Sequence, residues 1–162
     1  LGAVKRILVL FLVILAQQAL IPHAGVAGIT PDLYLLFMLA RARESAPYQG
    51  VLLGAGLGFF QDLMETGLFG VHTLAKSVAG YLSCLFPWVH RERNPLAMGA
   101  MLLILAACDQ MITCLFYSRD AATGFFVYYI RYGFPSAVYT GLLGLTFFSL
   151  HPFVVKHLRK GR

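Results

Sequence analysis

The chain has 162 residues, 59% of them hydrophobic and 12% charged, with a mean hydropathy of +0.73 and a formal net charge of +6. A soluble domain of this length needs far more charge to cover its surface, which excludes that class. Spanning barrels show weak alternation over ~10-residue segments, so the long apolar runs point instead to an all-α integral membrane protein folded as a single domain.

A spanning helix needs about 20 mainly apolar residues. The first candidate, 4–21 ("VKRILVLFLVILAQQALI"), opens on Lys5 and Arg6. It has the look of a signal peptide, but "AQQALIPHAG" offers no A-x-A cleavage site, so it is expected to persist as a first helix. The second, 31–44, is the weakest. Pro31 suits a first helical turn and Thr30 can cap it. Only "LYLLFMLA" is continuously apolar, so the segment either reaches the headgroups by snorkelling of Arg41 and Arg43 or forms a re-entrant half-helix. The third and fourth, 47–64 and 70–89, are joined by the tight turn "ETGLF". The fifth is 95–117 and the sixth 132–155. Between these two, the aromatic run "GFFVYYI" (124–130), followed by Arg131, fits an interfacial segment outside the clean spans. Cys84, Cys108 and Cys114 all lie in apolar runs without metal-type spacing, and read as small packing residues.

Charge sets the orientation. With a cytoplasmic N-terminus, ten Lys and Arg residues fall on inside segments (Lys5, Arg6, Arg41, Arg43, Arg91, Arg93, Lys156, Arg159, Lys160, Arg162) and two outside (Arg119, Arg131). That bias favours a single bundle of six transmembrane helices with both termini cytoplasmic, and it needs the weak second span to be counted. The basic residues are scattered over short segments with no aromatic platform, which argues against nucleic acid. Arg91, Arg93, Lys156, Arg159 and Lys160 are available to anionic lipid or a cytoplasmic partner, although fixing orientation alone explains them.

Small residues recur at helical spacing: Gly50, Gly54 and Gly58 with Gly56 beside them, then Ala75, Ala79 and Ser83, then Gly133, Ala137 and Gly141. Such stripes let helices approach to backbone contact, and packing within one bundle is the simplest account of each.

Charge inside apolar runs is costly and usually has a purpose. "GLGFFQDLMETGLFGVHTLAKSVAGY" holds Asp62 near the end of the third span, with His72 and Lys76 on one face of the fourth. A hairpin with a short turn sets them at one depth, so Asp62 and Lys76 are expected to form an ion pair locking the hairpin. A proton relay, a substrate counter-ion and a partner-docking site are the functional alternatives. Asp109, mid-span beside Gln110, has no evident partner and must face the bundle interior, a cavity or another protein. It reads equally as a site or as a buried, hydrogen-bonded acid. No HExxH, GxSxG, Walker loop or metal-type cluster occurs, so neither an enzyme nor a cofactor is expected.

The order of these features resembles the MreD family of rod shape-determining membrane proteins. "TPDLYLLFMLA" is similar to the Pro-Asp-Leu opening of that family's second helix. "GVLLGAGLGFFQDLMETGLFGVHTLAKSVAGYL" is similar to its most recognisable stretch, with matches at Gly50, Gly54, Gly58, Asp62, Gly70, Leu74, Lys76, Gly80 and Tyr81. "FPSAVYTGLLGLTFFSLHPFVVKHL" looks like the closing helix, with Pro135, Tyr139 and Pro152. The resemblance implies a non-enzymatic scaffold of cell elongation in the bacterial inner membrane. It would dock an MreC-like periplasmic scaffold, an MreB-like filament, and a RodA-like polymerase with its penicillin-binding transpeptidase. It also implies a fold similar to the substrate-binding components of energy-coupling-factor importers. The alternative is therefore an uptake subunit for a small molecule such as a vitamin. Ala16 and Ala19 lack the Ala-x-x-x-Ala spacing common in those components, which counts against import.

Overall fold

The computed structural model describes residues 2–19, 25, 29–42, 46–85, 94–119 and 124–160. The described elements are α1 (Gly2–Ala19), α2 (Leu33–Ala42), α3 (Pro47–Met64), α4 (Val71–Leu85), α5 (Pro95–Tyr117), α6 (Phe125–Tyr128), a π-helical turn (Tyr129–Gly133) and α7 (Phe134–Lys160). Six of these helices have ten residues or more. Two apolar stretches, Pro95–Tyr117 and Phe125–Leu150, are long enough to cross a membrane by length and composition.

Helix starts follow local chemistry. Asn94 caps α5 by accepting from Leu96 N at 3.0 Å, and Pro95 follows it, where a missing N–H costs nothing. Pro47 likewise opens α3, and Gln49 Oε1 accepts from Ala46 N at 3.1 Å. At α2 the expected cap is corrected. Asp32 fills that position, its Oδ1 accepting from Tyr34 N at 2.8 Å and from Leu35 N at 3.3 Å. Thr30 instead offers its carbonyl to Ser136 Oγ at 2.7 Å, and Pro31 precedes the helix.

α2 is the shortest of the six long helices and the most central. Its ten residues rise about 15 Å, half of the ~30 Å hydrocarbon thickness. It nevertheless touches each of the other five, and Tyr34, Leu35, Met38 and Leu39 are essentially inaccessible to solvent. These side chains meet Leu57 from α3, Ala79 from α4, Met101, Leu102, Leu105 and Ala106 from α5, and Ala137 from α7. A helix apolar on all sides is stable only when surrounded, and this one is. Its entry is held from two directions: Gln17 Oε1 accepts from Leu33 N at 2.8 Å, and Asp32 N donates to Thr140 Oγ1 at 3.0 Å.

The aromatic run before α7 also departs from expectation. It is helical and continuous with the sixth segment, through the π-helical turn. Pro135 supplies the reason: it has no N–H to give, and its ring crowds the carbonyl four residues back. Widening the preceding turn relieves that crowding, with Phe134 N reaching five residues back to Tyr129 O.

Candidate functional site

α3 and α4 run antiparallel at backbone contact. A Cβ built on Gly50, Gly54 or Gly58 would collide with the carbonyl oxygens of Gly80, Lys76 and His72 respectively, and one on Gly80 would strike Gly50 O. Four residues forward on α3 thus match four residues back on α4, and this register places every later contact. Gly56, one face away, has open space around it. The turn adds two requirements. Gly70 adopts φ +95°, and a side chain on Gly67 would strike the Tyr117 ring. Gly141 performs the same service between α7 and α5, its Cβ position lying 2.9 Å from Leu103 Cβ.

The ion pair expected between Asp62 and Lys76 is not formed. Asp62 instead caps α4: Oδ1 accepts from His72 N at 3.0 Å, and Oδ2 from Thr73 N at 2.9 Å and Thr73 Oγ1 at 2.6 Å. Two free backbone donors and a hydroxyl at a helix start satisfy a carboxylate as well as a cation would. Lys76, 0% exposed, turns the other way. Its Nζ donates to Asp32 Oδ2, lies 3.5 Å from Asp109 Oδ2, and sits 5.7 Å above the Tyr34 ring. One lysine therefore joins α2, α4 and α5 through two carboxylates.

Asp32 is the residue that sequence reasoning missed. An aspartate directly before an apolar helix signals a cap, but capping uses only one carboxylate oxygen. The second was free for a cation, and no local pattern says which one. Of the three surroundings open to Asp109, the structure gives it the bundle interior, and the expectation that it lacks a partner is corrected by Lys76. Its Oδ2 faces the ammonium while Oδ1 has no hydrogen-bond partner.

His72, expected beside Lys76, points away from the cluster to Glu65 in the turn. Nε2 lies 2.9 Å from Glu65 Oε2, close enough for an ion pair, although the ring N–H is not aimed well enough for a hydrogen bond. Gln61 Nε2 donates to Glu65 Oε1 at 2.7 Å. Burial alone would raise the Glu65 carboxyl, but the His72 and Gln61 contacts outweigh it and hold the group below its ordinary value. A cavity of about 560 Å³ opens beside these residues, between the α3–α4 turn and α5. Among the described residues no group of three or more His, Cys, Asp or Glu is placed to hold a metal ion. Arg91 and Arg93 lie outside the described residues. So do the side chains of Lys156, Arg159 and Lys160 on the last turns of α7.

Apolar helices drawn to backbone contact by glycines, around a lysine withdrawn from water and neutralised by acids, are the construction of a helical membrane protein. The particular family follows from comparison with known proteins. The chain belongs to the MreD family, matching "rod shape-determining protein MreD" over residues 2–160. This is a bacterial membrane family with a role in determining rod shape. No curated protein and no solved structure matches the chain.

Proposed function

We propose that the chain is a non-enzymatic scaffold of the cell-elongation machinery, crossing the bacterial inner membrane six times with both ends cytoplasmic. The Asp32–Lys76–Asp109 cluster holds the bundle together, and its outer faces meet partner helices. The observation that carries this reading is the enclosure of Lys76 by three helices, which commits its charge to the protein's own acids. Large apolar side chains meanwhile remain on the outside, among them Leu8, Phe11 and Leu12 on α1 and Leu52, Phe59 and Leu63 on α3. These suit lipid or the transmembrane helix of a partner. MreC-like, RodA-like and transpeptidase partners would dock there. An MreB-like filament would meet the cytoplasmic residues Arg91, Arg93, Lys156, Arg159 and Lys160.

Co-purification from native membranes, with identification of the bound proteins, tests the proposal. Wall-synthesis proteins are the expected companions. Recovery of a transport ATPase with its coupling subunit in their place would overturn it.

A further inference from the structure

The cavity beside the α3–α4 turn is distinct from the charge cluster, and its polar groups are unevenly paired. Gln61 and His72 both line it and are nine-tenths or more buried. Gln61 commits its amide nitrogen to Glu65, which leaves Oε1 as an acceptor without a partner. His72 lies against the same carboxylate through Nε2, and neither of its ring nitrogens has a hydrogen-bond partner. Glu65 accepts from Gln61 through Oε1 alone, which leaves lone pairs on both oxygens. Gln61 Oε1 and the Glu65 carboxylate are therefore two neighbouring acceptors open to a donor, one of them charged. Tyr117, Tyr128 and Tyr132 also line the cavity, and aromatic rings are compatible with a cationic ligand. Few polar groups converging in a concavity of several hundred cubic ångströms have the form of a ligand site.

We infer that this cavity binds a ligand bearing a primary ammonium or guanidinium group, which donates its N–H bonds to the Glu65 carboxylate and Gln61 Oε1 in the space that His72 and the three tyrosines line. The site supplies what such a group needs, N–H acceptors and negative charge, and an anion would meet both as repulsion. The inference is independent of the scaffold reading. Binding is tested on the isolated full chain, and partner capture neither makes nor breaks it.

The purified chain in lipid nanodiscs is titrated with propylguanidinium, butylammonium, tetramethylammonium and acetate at constant ionic strength, followed by thermal unfolding and calorimetry. Propylguanidinium and butylammonium are expected to bind saturably and raise the unfolding midpoint. Tetramethylammonium, a cation without N–H groups, is expected to bind and stabilise more weakly than either, and acetate to do neither. Glu65→Gln should weaken binding about tenfold, the scale of one charge-assisted hydrogen bond. Tyr128→Leu, at another lining residue, should weaken it as well, which keeps the test open if Glu65→Gln folds poorly. Stabilisation by acetate, equal stabilisation by tetramethylammonium, or unchanged affinity in both variants would overturn the inference.

Discussion

Replacing Lys76 by methionine nearly preserves its volume and removes its charge. Asp32 and Asp109 would then share a dry interior without a cation, a loss on the order of 3–5 kcal/mol for one partner of a buried ion pair. Asp62→Ala removes only the α4 cap, about 0.5–2 kcal/mol. Thermal stability in detergent should rank Lys76→Met well below Asp62→Ala. The exchange Asp62→Lys with Lys76→Asp should recover nothing. Similar losses in the two single variants, with recovery in the exchange, would restore the Asp62–Lys76 pair. Adding Asp32→Asn to Lys76→Met should cost less than the two separate losses summed, because the second change removes a charge that the first had stranded. Glu65 makes a separate prediction. Its folded-state carboxyl is held below its ordinary value, so its contribution is present above the unfolded pKa of about 4.3 and fades as pH falls through the folded one. Glu65→Gln should flatten the acid side of a stability-versus-pH curve and leave the neutral region nearly level. The sequence made the buried charges visible but not their partners, since Asp32 and Lys76 are 44 residues apart and only the packing of α2 unites them.

Among the elements, the α3–α4 hairpin gives the sharpest contrast. Gly54→Ala would press a methyl group into the Lys76 carbonyl, forcing the helices apart at a cost of about 1–3 kcal/mol or more, since backbone yields less than side chains. Gly56→Ala, two residues on, meets nothing and should stabilise the helix by up to about 1 kcal/mol. Opposite signs from neighbouring alanines, read from unfolding midpoints, check the register directly. A loss at Gly56 as large as that at Gly54 would count against it. This hairpin was legible because spacing of four is a property of one helix. The π-helical turn was less so: Pro135 gave notice of a disturbance, but aromatic content before it suggested a break where the chain instead widens and continues.

For the whole molecule, the proposed six-crossing arrangement predicts which positions react from which side. In a background lacking Cys84, Cys108 and Cys114, Thr66→Cys should be labelled by an impermeant thiol reagent on intact cells, and Arg41→Cys only after the inner membrane is opened. Labelling of residue 41 from outside would leave α2 as a re-entrant element and remove one crossing. Length and charge bias led to the expected segment ends, and the described helices fall within two residues of them at α3, α5 and the start of α4. What they did not reveal was centrality. By hydropathy α2 is the least convincing span, yet its neighbours bury nearly all of it. Burial by protein and burial by lipid leave the same mark on a short apolar run.

The separation between Asp32 and Lys76 also has a consequence for biogenesis. Synthesis proceeds from the N-terminus, so Asp32 is made 44 residues before the lysine that neutralises it, about 2–9 s earlier at ~5–20 residues per second. Asp109 is made later still. For that interval α1 and α2 carry an acid with no counter-charge, which disfavours their release into lipid as a finished pair. The insertion machinery would hold the early segments in a wet environment until α4 arrives, and membrane integration would then be a single late commitment rather than a helix-by-helix one.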